Sequence, residues 1–318
     1  MVKKSLLLSL SFLLTILVLS ACGGNSDSSD IVQDQSVGES AGQVRTYETV
    51  KGNIEIPVKP ERIVTDFYVG ELLSVGANVV GADSDAFAHP FIQDQLSKIM
   101  DLGSPINVEM ILDLEPDLII TMYEDRYEEY SRIAPTLYIP WAADADIYDT
   151  LEKFGDITGN SSEAKEFIAE YDKEISEAKK KLEGVFDEDT TFGIYELTPD
   201  DKLYVFGANF GRGGQALYDA LGLKAPEIIE KEVMNGEGWK EISYEVLPEY
   251  AADYMFLTVY DPEGIGQSLK KLQNLSIYQN LEAVKNNKFF VNDFDQFYRY
   301  DPIAIREQVK LFVEMLGK

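Results

Sequence analysis

The sequence predicts an α/β fold of two lobes joined by one long rigid helix, with a ligand cleft between the lobes. Three observations carry this. Short apolar strands alternate with helical segments over residues 62–140, the rhythm of a parallel sheet with crossover helices. The same rhythm returns over residues 192–316. Between the two, Ser161 to Leu182 is one unbroken helical pattern, with Phe167, Ile168, Tyr171, Ile175, Ala178 and Leu182 at helical spacing. About 22 residues at 1.5 Å each reach roughly 33 Å, enough for a stiff connector across a whole molecule.

The chain starts with Lys3 and Lys4, an apolar run from Leu6 to Leu19, and then Leu19-Ser20-Ala21-Cys22. A charged start, an apolar middle and a small-residue end make a secretory signal over residues 1–21. The run falls short of the roughly 20 apolar residues that a spanning helix needs. Leu-Ser-Ala-Cys resembles the bacterial lipobox, so cleavage is expected to expose Cys22 and lipid to attach to its sulfur. A plain cleaved signal is the alternative. Residues 22–43 are rich in Gly, Ser, Asp, Asn and Gln and bury too little to fold, as in a flexible tether.

An N-terminal lobe is expected over 44–159. Arg45 to Val50 and Ile54 to Val58 alternate like strands around the turn Lys51-Gly52-Asn53, a hairpin. Arg62 to Thr65, Val79 to Ala82, Asp117 to Thr121 and Leu137 to Pro140 read as buried strands. Helices lie between them at Tyr68 to Val75, Val108 to Leu114 and Glu128 to Ile133, and Ile147 to Thr158 closes the lobe. The connecting helix takes 160–184, with Ser161 or Ser162 as cap and Gly184 as stop. The C-terminal lobe takes 185–318, with strands at Phe192 to Leu197, Leu203 to Phe206, Tyr254 to Val259 and Lys288 to Val291. Its helices are Gly214 to Leu221, Leu269 to Asn274 and Pro302 to Leu316.

Composition excludes several classes. The formal net charge is −28, and loss of residues 1–21 with their two lysines would make it −30. Such a surface repels nucleic acid. Cys22 is the only cysteine, so the folded part has no internal disulfide, thiolate metal site or thiol nucleophile. The sole histidine, His89, sits in a turn-like Ala88-His89-Pro90 and reads as a surface residue. No Gly-x-Ser-x-Gly elbow, His pair or phosphate loop is present, which argues against an exported enzyme. Eighteen tyrosines against two tryptophans and one histidine suit a binder better than a catalyst.

The strongest constellation runs from Tyr204 through Phe210-Gly211-Arg212-Gly213-Gly214 to Gly222: strand, glycine-rich loop, helix. Its glycines are expected to let the backbone approach a ligand. Arg212 would present fixed donors to an oxygen-rich group, with Tyr204 and Phe210 as aromatic walls. Ligands on open α/β sheets sit at strand ends. That places Phe67, Phe87, Tyr123 and Trp141 of the first lobe opposite Trp239 (in a glycine-rich loop), Tyr260 and an aromatic loop from Phe294 to Tyr300 that includes Tyr298 and Arg299. Together they describe an aromatic cleft with few charges. Arg126 and Arg299 are the further cationic candidates. Bare-ion binding is not expected, since such sites need several His or carboxylate ligands.

Almost the whole mature chain resembles the ABC-transporter substrate-binding lipoproteins for iron(III)–siderophore complexes. Lys59-Pro60-Glu61-Arg62-Ile63-Val64, Glu71 to Gly76 with Val80-Gly81-Ala82, Asn107-Val108-Glu109, Leu114 to Ile120, and Phe210 to Gly214 carry the resemblance. It implies two Rossmann-like lobes and the class III periplasmic-type binding protein fold. It implies a monomeric capture protein, lipid-anchored on the outer face of a Gram-positive cell membrane, that passes its ligand to a permease and through it to an ATPase. Glu109 and Glu245 sit where the family has one permease-docking acid per lobe. Arg212 sits where hydroxamate binders of Gram-positive bacteria have an arginine on the iron-bound oxygens. Phe210 stands where those relatives often have tryptophan. No covalent cofactor is implied; the ligand is ferric iron as a siderophore complex. The acidic field and the tyrosines favour a neutral or cationic ferric hydroxamate of the ferrioxamine or ferrichrome type. A catecholate or carboxylate siderophore, haem and a cobalamin are the other ligands kept open.

Overall fold

The apolar strands gather into two five-stranded sheets and one hairpin. The structure is a computed structural model that describes residues 42–142, 145–264 and 266–317. The expected signal, Cys22 and the expected tether up to residue 41 lie outside the described residues. Among the described residues no helix is long and apolar enough to cross a membrane.

The hairpin pairs β1 (Val44–Thr49) with β2 (Gly52–Pro57) antiparallel. The first-lobe sheet contains β3 (Ile63–Thr65), β4 (Val79–Ala82), β5 (Met100–Asp101), β6 (Leu118–Thr121) and β7 (Thr136–Tyr138). Its order is β5-β4-β3-β6-β7, and every pair is parallel. The chain leaves the centre toward one edge, returns, and leaves toward the other. The ends of β3 and β6 therefore flank a topological switch point, the usual place for a ligand crevice.

The second-lobe sheet contains β8 (Phe192–Leu197), β9 (Leu203–Phe206), β10 (Trp239–Ile242), β11 (Tyr254–Val259) and β12 (Phe289–Asn292), in the order β10-β9-β8-β11-β12. Here the structure departs from the sequence expectation. β8, β11 and β12 are parallel, but β9 runs antiparallel to β8 and β10 antiparallel to β9. The five residues Thr198 to Lys202 close a tight turn, with Thr198 N–H bonded to Lys202 O at 3.0 Å. A parallel crossover needs a dozen residues or more. Trp239, expected in a loop, opens β10 opposite Phe206. The stretch expected as an aromatic loop is a short helix, Phe294–Tyr298, capped by the Asp293 carboxylate on Gln296 N–H.

The connecting helix spans Ser161–Leu182. Neither serine caps it. Gly159, at φ +69°, ends the preceding helix, Ile147–Thr158. Asn160 is then the whole junction: its N–H closes the previous helix on Gly155 O at 2.8 Å, and it occupies the cap position. Ser162 instead donates to Glu163. The closing helix, Pro302–Leu316, buries Ile303, Ala304, Ile305, Val309, Phe312 and Leu316. Arg306 on this helix lies 4.5 Å over the Phe167 ring of the connecting helix. One apolar core runs through both lobes, and a smaller cluster around Val64, Ile111, Ile119 and Tyr130 covers the outer face of the first sheet.

Candidate ligand-binding cleft

A cleft of about 590 Å³ opens where the strand ends of the two lobes face each other. That volume falls in the range of small-molecule sites, roughly 300–1,000 Å³. From the first lobe Asp66 follows β3, Asp83 and Asp85 follow β4, and Tyr123 follows β6. The second lobe supplies Glu196 at the end of β8, Tyr260 after β11, Phe294, Tyr298 and Arg299 from the segment before the closing helix, and Arg212 from its loop.

Arg212 is held from several sides. Its Nε donates to Glu196 Oε2 at 2.7 Å and its Nη1 to Phe210 O at 2.6 Å. Its guanidinium carbon lies 4.5 Å from the Phe206 ring centroid and 5.0 Å from that of Tyr298. The side chain is 16 % exposed and that of Glu196 7 %, so the pair is mostly buried, yet both line the open cleft. Among the described residues Nη2 has no hydrogen-bond partner, and it is the donor left for a ligand. The backbone that carries this group is strained. Phe210, Gly211, Arg212 and Gly213 are all left-handed, at φ +72°, +77°, +58° and +86°. For a residue with a Cβ this region costs roughly 1–2 kcal/mol.

The glycines do not clear space for a ligand, as the sequence suggested. A Cβ on Gly211 would overlap the Tyr298 carbonyl, and one on Gly214 the carbonyls of Gly207 and Ala208. They let the loop pack onto its own lobe, which fixes where Arg212 points.

The expected aromatic residues divide into four groups. Phe67, Tyr123 and Tyr298 line the cleft, as does Arg299. Trp141 meets Phe210 across the lobes at 5.0 Å between centroids, beside the cleft and outside its lining. Tyr204 and Trp239 pack edge to face at 5.7 Å on the outer strands of the second sheet, and the Tyr204 hydroxyl donates to Glu241. Arg126 lies on a neighbouring cavity that shares Asp66, Asp83 and Tyr123, and it pairs with Glu129 at 3.4 Å. Phe87 packs on the core. Tyr123, Trp141, Tyr260 and Tyr298, in or beside the cleft, are 39–44 % exposed. A folded protein leaves so many large rings in water near one opening when they have a partner to meet.

The cleft is far from uncharged. Asp66, Asp83, Asp85, Glu196, Asp295 and Asp301 all line it, against Arg212 and Arg299. Composition could not show this, because the fold decides which acids face the cleft. Asp66 accepts from Thr121 Oγ1 at 2.6 Å and Met122 N–H at 3.0 Å, while burial pushes its carboxyl up to about 6. Asp83 caps the turn after β4 and Asp301 caps the closing helix. Glu196 was legible in one respect: it is the only charge in the apolar run Phe192 to Leu197, all of which is buried.

His89 overturns the expectation of a surface histidine. It is 2 % exposed, and its Nε2 lies 2.9 Å from Asp301 Oδ2. Phe91 N–H donates to Nδ1 at 3.2 Å, so Nε2 carries the hydrogen given to Asp301. The bond joins the lobes, as does Arg299 Nη2 to Asp85 O at 2.6 Å. Burial is possible because a carboxylate from the far lobe meets the ring.

Glu109 and Glu245 are exposed, each near the start of a short helix, at Val108–Asp113 and Tyr244–Tyr250. Neither pairs with a cation among the described residues, and the Ser243 hydroxyl holds Glu245 below the usual carboxylate range. Among the described residues no cluster of three His, Cys, Asp or Glu could hold a bare metal ion.

Residues 67–295 match the family model described as periplasmic binding protein. The chain is 49 % identical over 319 residues to the iron(3+)-hydroxamate-binding protein YxeB of Bacillus subtilis, covering 99 % of this chain and 98 % of that one. It is 35 % identical to the iron(3+)-hydroxamate-binding protein FhuD of the same organism, over 96 % of both chains. The solved structure of FhuD2 from Staphylococcus aureus with bound ferrioxamine B matches with a TM-score of 0.71 at 26 % identity, over 81 % of this chain and 100 % of that one. Two α/β lobes around a crevice, and relatives of this closeness along nearly the full length, lead to one conclusion: this chain is a member of the periplasmic binding protein family.

Proposed function

We propose that this protein captures a ferric hydroxamate siderophore at the outer face of a cell membrane and hands it to an ABC-type permease driven by an ATPase. One observation carries the choice of ligand: a guanidinium with a donor to spare sits among exposed tyrosines in a cleft whose other charges are mostly carboxylates. A ferric tris-catecholate brings three negative charges and would be repelled. A ferric tris-hydroxamate is neutral, or cationic with a free amine, and offers the oxygens that Arg212 can meet. Iron arrives already wrapped, so the protein needs no ligand set of its own. YxeB and FhuD, named as iron(3+)-hydroxamate-binding proteins, support this reading.

Phe67, Tyr123, Tyr298 and Arg299 would touch the chelate with Arg212, and Trp141 and Phe210 would border it. Glu109 and Glu245 would meet the permease, and a lipid on Cys22 would hold the protein at the membrane. The protein acts by binding, not catalysis: the one histidine is committed to Asp301.

A fluorescence titration with ferrioxamine B, ferrichrome, a ferric catecholate, haem and cobalamin tests the reading. Quenching by the two hydroxamates alone is the expected result. Arg212→Ala combined with Glu196→Gln, which leaves no unpaired buried charge, should weaken it at least tenfold, or about 1.4 kcal/mol. Preference for the catecholate, haem or cobalamin would overturn the assignment.

A further inference from the structure

Glu71 is a buried acid at the cleft with nothing to hold. It is 6 % exposed, and it lines both the ligand cleft and a second cavity of about 280 Å³ behind it. Tyr300 and Glu71 form the wall that the two cavities share. Among the described residues no other residue donates a hydrogen bond to its carboxyl, and no cation pairs with it; its own backbone N–H is its one polar neighbour of that kind.

Its surroundings explain which form it takes. Asp301 packs against the same helix, Val69–Ser74, so closely that a Cβ on Gly70 would overlap its carboxyl. Two carboxyls thus share one buried spot, and only one of them has partners. Asp301 takes the His89 hydrogen and the N–H groups of Ile303 and Ala304. Burial raises Asp301, but His89, the Ala304 N–H and the Arg299 charge more than offset it and hold it below its usual range. Glu71 has burial and the Asp301 charge against it, with Arg299 only partly opposing, and is pushed up to about 8. Tyr68 and Tyr300 also face it, and Lys153 lies across the rear cavity, with its own pKa lowered by burial. When two like groups in one site are pushed apart in this way, the raised one is a hydrogen-bond donor at neutral pH.

A ferric hydroxamate presents mainly acceptor oxygens, which the ionised acids of the cleft cannot meet. Its donors are the guanidiniums of Arg212 and Arg299 and the tyrosine hydroxyls, and a neutral acid adds one more. Resting on the ligand class proposed above, we infer that Glu71 works as a neutral carboxylic acid whose O–H donates to an oxygen of the bound chelate, a further donor beside the guanidiniums and tyrosine hydroxyls. Only the protonated fraction of the protein then binds well, so alkaline pH weakens capture.

The test titrates full-length protein in detergent solution with N-acetylated ferrioxamine B, which has no ammonium of its own, between pH 6 and pH 9. Wild-type affinity should be flat up to about pH 7 and about tenfold weaker at pH 9, as the competent fraction falls. Glu71→Gln keeps a neutral donor, so it should bind within about threefold of wild type at pH 7 and stay flat to pH 9. Glu71→Ala should lose about fivefold or more at pH 7, the worth of one hydrogen bond. Circular dichroism checks that each variant is folded. The inference is overturned if the alkaline fall persists in Glu71→Gln, if wild type shows no fall, if its affinity rises with pH, or if folded Glu71→Ala binds like wild type. If folded wild type binds neither this chelate nor ferrioxamine B at any pH, the ferric hydroxamate reading fails, and the inference with it.

Discussion

The two lobes use similar sheets to aim polar groups at one cleft, but by opposite means. The first lobe presents carboxylates on relaxed strand ends, held mostly by hydroxyls and backbone N–H groups, as Asp66 is by Thr121 and Met122. The second lobe presents a guanidinium on four consecutive left-handed residues, fixed by a buried carboxylate and two rings. One device keeps the backbone in ordinary conformations, although burial works against the ionised form of Asp66. The other stores strain and leaves a charge stranded if either partner goes.

The largest expected effect breaks the second device. Arg212→Ala strands Glu196, and losing one member of a buried ion pair costs about 3–5 kcal/mol; urea unfolding of Arg212→Ala against the double variant with Glu196→Gln measures it. A smaller loss in the single variant than in the double one would show that Glu196 is well solvated.

The next concerns the first lobe. The Asp66 carboxyl is raised by burial from 3.8 to about 6. The folded protein therefore binds this proton more tightly than the unfolded chain does. Stability from this group should fall as pH rises from about 4 through about 6, by about 3 kcal/mol at most. Glu71 adds a fall in the same direction up to about pH 8. Urea midpoints across pH 4–9 should show both trends, with Asp66→Asn removing the acidic part and Glu71→Gln the later part.

Two glycines sharpen the contrast further. Gly211 and Gly76 are both left-handed, but only Gly211 has a backbone carbonyl where a Cβ would go; Gly76 meets nothing closer than Glu163 at 3.8 Å. Gly211→Ala should cost about 1–3 kcal/mol and weaken binding. Gly76→Ala should cost about 1 kcal/mol and leave binding alone. Smallest of all, Glu109→Ala and Glu245→Ala should leave stability nearly unchanged, as substitutions of exposed residues do. Binding should be unchanged while uptake by whole cells slows.

The same contrast explains what could be read from the chain. Helices such as Ile147–Thr158 and Ser161–Leu182 were legible because apolar spacing and terminal glycines mark them locally. Strand direction in the second lobe depends on how short one turn is, and the glycines before Trp239 disguised an edge strand. Arg212 stood out because glycines flank a long cation. The buried acids Asp66 and Asp301 did not, because what permits their burial includes groups more than fifty residues away. Asp301 looks like an ordinary helix cap before Pro302; only the fold brings His89 and Glu71 to it.

The two tryptophans have a practical consequence. Trp141 belongs to the first lobe and touches Phe210 of the second, whereas Trp239 and its neighbour Tyr204 are both in the second. A chain keeping only Trp141 would carry a chromophore on the seam, whose emission changes if the halves part. A chain keeping only Trp239 would carry one that ignores such parting. The pair is a built-in gauge that separates opening of the molecule from local disturbance of one half.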